Sequence, residues 1–194
     1  MEALFGIVGK DFVLIAADKS QVRSIVVMKT DQDKTRNLND NIVMACAGEP
    51  GDTSSFGEFI QANVQLYSTR NGYNMSTKET AHFTRSSIAK SLRSRNPYQV
   101  NMIIAGYHPR DGPELYWIDY MGTMQKLPFA GHGYSAYFNL SLLDRHYKAN
   151  MSLEEASSVL GMCFQELKTR FMVNLPEFTV KVIDKDGIRE HKIQ

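Results

Sequence analysis

Few residues in this chain combine a reactive type with a setting that could use it, and the first is Asp18. It closes the run Phe12 to Ala17 (FVLIAA), which contains no polar residue. A carboxylate there is either exposed at a strand's end or paired, because an unpaired buried carboxylate is expensive. Cys46, in NIVMACAG, could be imagined as a nucleophile, but thiol reactivity needs a lowered pKa. Its flanks are apolar with no basic neighbour, so a buried core thiol is expected there. His132 stands between Gly131 and Gly133 and could suggest proton transfer, although polar packing is the simpler reading. The Lys and Arg residues of RSSIAKSLRSR (85–95) read as a solvated helix face. No spacing of His, Cys, Asp or Glu resembles a metal site, and no cofactor is expected.

Strands and helices must position these groups. Ala3–Val8 and Phe12–Ala17, split by Gly9-Lys10-Asp11, read as a β-hairpin. The second run is expected to be buried on both faces. Ser24–Met28 is a third strand, followed by the charged stretch KTDQDKTR. Asn41–Ala47 is a fourth, stopped by Gly48-Glu49-Pro50-Gly51. Phe56, Phe59, Ile60, Val64 and Tyr67 form an apolar stripe on a first helix, capped by Asp52 or Thr53 and ended at Asn71-Gly72. A capping box of Ser76 and Glu79 opens a second helix, which stops before Asn96-Pro97. Strands return over Val100–Tyr107, Glu114–Asp119 and Thr123–Phe129. Gly131-His132-Gly133 then opens another helical pair. Tyr137, Leu140, Leu143 and Tyr147 share a face in the first of these. Ser152 and Glu155 box the start of the second, ahead of Ala156, Val159, Leu160, Cys163, Phe164 and Leu167. Phe178–Asp184, an Asp186-Gly187 turn and Ile188 onward close the chain. The class is α+β, with mainly antiparallel sheets whose faces are covered by paired helices.

The 194 residues suit one domain over 1–194 with a sizeable core. A net charge of +1 gives no electrostatic reason to expect nucleic acid or an anionic membrane as partner. Apolar runs of about six residues are far short of the roughly 20 that span a bilayer. The start, MEALFGIVGK, lacks the basic lead-in and long apolar core of a secretory signal. Cys46 and Cys163 read as reduced thiols, so an intracellular compartment is expected.

The element order, with VLIAAD (13–18), AGEPGDT (47–53), HGYSAYFNLSLLD (132–144) and KDGI (185–188) at its joints, resembles the β-type subunits of the 20S proteasome. The resemblance implies the N-terminal-nucleophile hydrolase four-layer sandwich, two antiparallel β-sheets between two helix layers. IQANVQLYS (60–68), SLRSRNPYQVN (91–101) and ELYWIDYMGT (114–123) resemble the eukaryotic beta type-2 class, non-catalytic and fourth in the β ring. Active members use a threonine exposed as the mature N-terminus: its hydroxyl attacks a peptide carbonyl and its amine manages the proton. A lysine, an aspartate holding that lysine, and a backbone N–H for the oxyanion complete the apparatus.

Carried over by resemblance, Asp18 matches the aspartate, Lys34 the lysine and Gly48 the N–H donor. Counting back from Asp18 at the family's spacing reaches Glu2, and Met1 to Phe5 contain no Thr, Ser or Cys. His132 stands at a helper serine's place, and Phe171 and Asn174 at those of a helper aspartate and serine. The resemblance therefore implies a non-catalytic structural subunit that completes the β ring and the proteolytic chamber used in ATP/ubiquitin-dependent protein degradation. Asp18–Lys34 is expected as a structural ion pair and Gly48 as a turn residue. Implied partners are β-type subunits of the same and opposite ring and α-type subunits of the outer ring, in cytoplasm and nucleus. With the fold starting almost at Met1, no propeptide and no processing are expected, with the amino terminus open to acetylation. An autonomous peptidase would need the missing nucleophile, and a homo-oligomeric scaffold is a third reading. Tyr67, Tyr73, Tyr98, Tyr116, Trp117 and Tyr120 are interface-prone types that are equally at home in a core.

Overall fold

A computed structural model describes residues 2–24 and 26–193. Strands β1 (Leu4–Val8) and β2 (Phe12–Asp18) form the expected hairpin. A small hairpin of β3 (Gln21–Arg23) and β4 (Val26–Lys29) follows, then β5 (Thr35–Asn39) and β6 (Ile42–Gly48). Helices α1 (Pro50–Asn71) and α2 (Thr77–Ser91) lead to β7 (Val100–His108), β8 (Gly112–Ile118), β9 (Met124–Lys126) and β10 (Phe129–His132). The chain ends with α3 (Ala136–His146), α4 (Leu153–Arg170), β11 (Phe178–Asp184) and β12 (Gly187–Glu190).

Two five-stranded sheets result, ordered β10-β1-β2-β11-β12 and β5-β6-β7-β8-β9. Every strand pairing among the described residues is antiparallel. The period of two along each central strand sorts its side chains between cores. In β2, Phe12, Leu14 and Ala16 face the core under α3 and α4, whereas Val13, Ile15 and Ala17 face the opposite sheet. In β7, Val100, Met102 and Ile104 pack under α1 and α2, and Ile103 and Ala105 meet the first sheet. Three cores therefore separate four layers, and β2 is buried throughout because it has a core on each face.

Both capping boxes form: Ser76 N donates to Glu79 Oε2 at 2.8 Å, and Ser152 N to Glu155 Oε2 at 2.9 Å, each answered by the serine Oγ accepting from the glutamate N–H. Five expectations are corrected. The cap of α1 is Glu49, whose carboxylate accepts from Asp52 N at 2.8 Å, because Pro50 lacks an N–H and starts the helix one residue later. The expected strand at Ser24–Met28 is a turn plus β4, with Ser24 at φ 57 and Ile25 outside the described residues. Its Val26, Val27 and Met28 are exposed, so apolarity there does not mark a sheet interior.

Thr123–Phe129 divides into β9, in the second sheet, and β10, in the first, with Pro128 at the crossing. Proline has no ladder donor, yet the Pro128 carbonyl accepts from Val8 N at 2.8 Å. Gly131 and His132 consequently end a strand rather than open a helix. In α3, Ala136, Asn139 and Leu143 are buried, while Tyr137 is 85% exposed. Asn139 turns inward because its Nδ2 donates to Cys163 O at 3.2 Å, so a polar residue occupies the face that apolar spacing assigns elsewhere.

Ser152→Ala and Ser76→Ala should each lower unfolding stability by about 1 kcal/mol. In urea titrations this reads as lower midpoints at unchanged slope, adding in the double variant; unmoved midpoints would contradict the assigned caps.

Candidate functional site

The end of β2 carries Asp18 into the molecule with no exposure to solvent. Its Oδ1 accepts from Ala3 N at 2.8 Å, and Asp18 N donates to Ala3 O at 3.0 Å, so one more residue pair extends the β1–β2 ladder. Its Oδ2 accepts from Ser20 N at 3.1 Å and from Lys34 Nζ at 2.7 Å. Lys34, placed by the start of β5, also donates to Ser20 O at 2.7 Å, and its side chain is only 4% exposed. The ion pair is thus buried and fully hydrogen-bonded on the carboxylate side, the condition under which such a pair is tolerated.

Glu2 completes the group. Its Oε2 accepts from Gly48 N at 2.7 Å, and its Oε1 lies 3.7 Å from Lys34 Nζ. Ser135 Oγ donates to the Glu2 carbonyl at 3.4 Å. Burial raises the Glu2 pKa, against the opposing pull of the Lys34 charge and the Gly48 hydrogen bond. Two glycines make the approach possible. Gly48 has φ 146, and a Cβ there would sit 2.0 Å from Gln99 O; Gly133 has φ 81, and a Cβ there would sit 2.0 Å from Glu2 O. Beside the group lies a cavity of about 90 Å³ lined by Glu2, Lys34, Arg36, Cys46 and Thr53 among others. Ligand pockets usually run to roughly 300–1,000 Å³.

Four of the residues singled out in the sequence, Glu2, Asp18, Lys34 and Gly48, therefore meet. The other three do not join them. His132 Nε2 bonds to Ile118 O at 3.0 Å, and its ring stacks on Trp117 with centroids 4.5 Å apart. Burial pushes its pKa down to about 4, so it is neutral at physiological pH. Phe171 packs edge-on against Phe138, and Asn174 is exposed beside α4. Among the described residues, no hydrogen bond or ion pair links these three side chains to the Glu2–Asp18–Lys34 group. Cys46 borders the small cavity, but burial pushes its thiol up to about 12, and Cys163 likewise, so neither supplies a thiolate.

Sequence reasoning missed Ser20 and Ser135. Ser20 follows Asp18 by two residues, the spacing at which a carboxylate takes a local backbone N–H. Ser135 contributes through a turn that becomes visible only once β10 is recognised. The chemistry on offer is the holding of an anion by an ammonium and a backbone N–H, with a carboxylate already in place and, among the described residues, no activated hydroxyl or thiol beside it.

Two antiparallel sheets between helix layers, with a buried Asp–Lys pair at the end of the second strand, define the N-terminal-nucleophile hydrolase sandwich. A family model described as "Proteasome subunit" matches residues 2–183. The chain is 48% identical over 194 residues to the "Probable proteasome subunit beta type-4" of Schizosaccharomyces pombe, covering 100% of both. It is 47% identical over 191 residues to the "Proteasome subunit beta type-4" of Saccharomyces cerevisiae, covering 98% of this chain and 96% of that one. To the "Proteasome subunit beta type-2-B" of Arabidopsis thaliana it is 45% identical over 191 residues, with the same coverage. The chain belongs to the proteasome subunit family, and family membership implies assembly with other proteasome subunits.

Lys34→Met should destabilise the fold by about 3–5 kcal/mol, since it leaves Asp18 buried without its partner. Adding Asp18→Asn should cost less than the sum of the two single changes; strict additivity in a double-mutant cycle would contradict the pair. For Glu2, a folded pKa above the ordinary 4.5 means that the native state holds its proton more tightly. Its contribution to stability is therefore lost as pH rises from about 4.5 through the raised value. The stability of wild type relative to Glu2→Gln should fall across that window; a relative rise would show the opposite shift.

Proposed function

We propose that this chain is a non-catalytic structural subunit of the 20S proteasome core particle, completing a β ring and lining the chamber in which other subunits cut. The observation that carries this reading is the occupancy of the nucleophile's place. Glu2 stands there, with its carboxylate on the Gly48 amide and 3.7 Å from Lys34. Acyl transfer by this apparatus needs a hydroxyl and a free amine at one residue, and the first five residues contain no Thr, Ser or Cys. Glu2, Asp18, Lys34 and Gly48 are then the remains of a catalytic scaffold, with His132, Phe171 and Asn174 at former helper positions. Asp18 and Lys34 keep a reason to be there, because their pairing holds the strands.

In this reading the partners are β-type subunits beside it and across the midplane and α-type subunits of the outer ring, in cytoplasm and nucleus. Exposed aromatic and apolar side chains support it: Tyr73, Tyr120, Met121, Tyr134, Tyr137 and Met172 all lie on the outside of the isolated chain. Obligate contacts of such assemblies bury on the order of 2,000 Å² or more.

Native mass spectrometry of the C-terminally tagged chain drawn from its own cells tests the proposal. The expected result is a particle many times the chain's mass that releases distinct α- and β-type subunits. A lone chain, or a ring of identical copies, would overturn it, as would fluorogenic-peptide hydrolysis by the purified chain alone.

A further inference from the structure

We infer that the end of α2 and the turn between β8 and β9 form a docking surface for an acidic segment of another protein, one with an apolar side chain among its carboxylates. The surface is defined by this chain alone, so it stands or falls separately from the subunit role.

Charge sets this surface apart. The chain carries 21 acidic and 22 basic residues, yet Thr80 to Arg110 contains no Asp or Glu. Arg85, Lys90, Arg93 and Arg95 fall on α2 or just past its end, and all four are exposed. None takes part in an ion pair among the described residues. The helix macrodipole accounts for a cation in the last turn, which is Lys90, whereas Arg93 and Arg95 lie beyond it. The acids on the flanking segments are already bound to backbone. Asp119 Oδ1 accepts from Met121 N at 3.0 Å and Thr123 N at 2.8 Å, and Asp52 Oδ2 accepts from Gln99 N at 2.9 Å.

The cations border apolar surface. Arg85 Nε donates to Gly122 O at 3.0 Å, and a Cβ at Gly122 would sit 3.2 Å from that of Ala89. The turn Tyr120-Met121-Gly122 is thereby seated on α2, with Arg85 about one turn before Ala89 and Arg93 about one turn after it. Around it Tyr120, Met121 and Leu92 are 38%, 54% and 40% exposed. Cations alone would stay hydrated, and apolar side chains alone would select no charge. Together they fit a segment whose carboxylates flank an apolar residue. The cations steer it and fix its register, while Met121 and Leu92 take its apolar side chain out of water. A nucleic-acid backbone would leave that apolar centre uncovered.

Carbodiimide coupling joins an amine to a carboxylate only where the two touch. Applied to the C-terminally tagged chain as drawn from its own cells, it should link Lys90 to an Asp or Glu of a different chain, read by peptide mass spectrometry. Arg93→Lys with Arg95→Lys keeps the charge and should add links from both positions to the same segment. Arg93→Glu with Arg95→Glu should lower the yield of the Lys90 link by roughly tenfold or more. Its melting temperature should barely move, as exposed substitutions generally allow. Links from Lys90 only within this chain, no link at all, or a yield that survives the reversal would overturn the inference. Nucleic acid that accompanies the wild type and is lost from the reversed variant would name a phosphate partner and overturn it too. A particle of proteasome subunits without the Lys90 link would overturn the docking surface and leave the subunit role standing. A Lys90 link to a protein outside any such particle would support the surface and count against that role.

Discussion

Asp18 is a carboxylate held where water does not reach, and its two oxygens accept three hydrogen bonds from three different segments. One comes from the main chain just before β1, one from the loop after β2, and one from the lysine that introduces β5. The first two segments serve the first sheet and the third serves the second, so a single side chain staples both halves of the sandwich at one end. A buried carboxylate without these partners would be unaffordable in a fold stabilised by only some 5–15 kcal/mol. The consequence is geometric: wherever Asp18 and Lys34 pair, the residue before Ala3 is delivered to the end of β6. That residue is Glu2.

On the non-catalytic role proposed above, a catalytic scaffold outlives its chemistry for this reason. The nucleophile of an active relative would sit ahead of the first strand, outside the three hydrogen bonds that hold Asp18. The lysine and aspartate sit inside, where replacement breaks the staple. Fold and function are separable, and here the boundary between them runs between Glu2 and Asp18. Gly48 falls on the structural side, since its backbone angle and the close Gln99 carbonyl require glycine whatever occupies its N–H.

Where local rules act alone, the sequence was legible. The two capping boxes, the first hairpin and the buried β2 all follow from residues adjacent in the chain. What could not be read depended on tertiary context. β5 begins at the end of KTDQDKTR and runs on to Asn39, and it was missed because its burial pattern is mixed, with Leu38 alone fully buried; the strand exists because β6 offers it a ladder. β9 and β10 read as one strand, because nothing local announces that Pro128 hands the chain from one sheet to the other. Of the site, Asp18 was visible from its setting and the Lys34 and Gly48 roles from family likeness. The contact of Glu2 with Gly48 was not visible, since residues 46 apart meet only after β1 and β6 are packed.

The aromatic residues divide in the same way. Tyr116 is buried with its hydroxyl on Glu114, Tyr98 packs on Phe56, and Tyr137 points out. Type and spacing did not separate them, because interface and core draw on the same side chains. In α3 the helix spends its inward face on Ala136, Asn139 and Leu143 and leaves Tyr137 and Leu140 outside, beside Tyr134 and a groove of about 890 Å³. Exposed apolar side chains around a groove are surface that a partner can cover. For a member of a family of assembled subunits such a surface carries no penalty where another subunit covers it, and on the role proposed above the outward stripe of α3 is available for that.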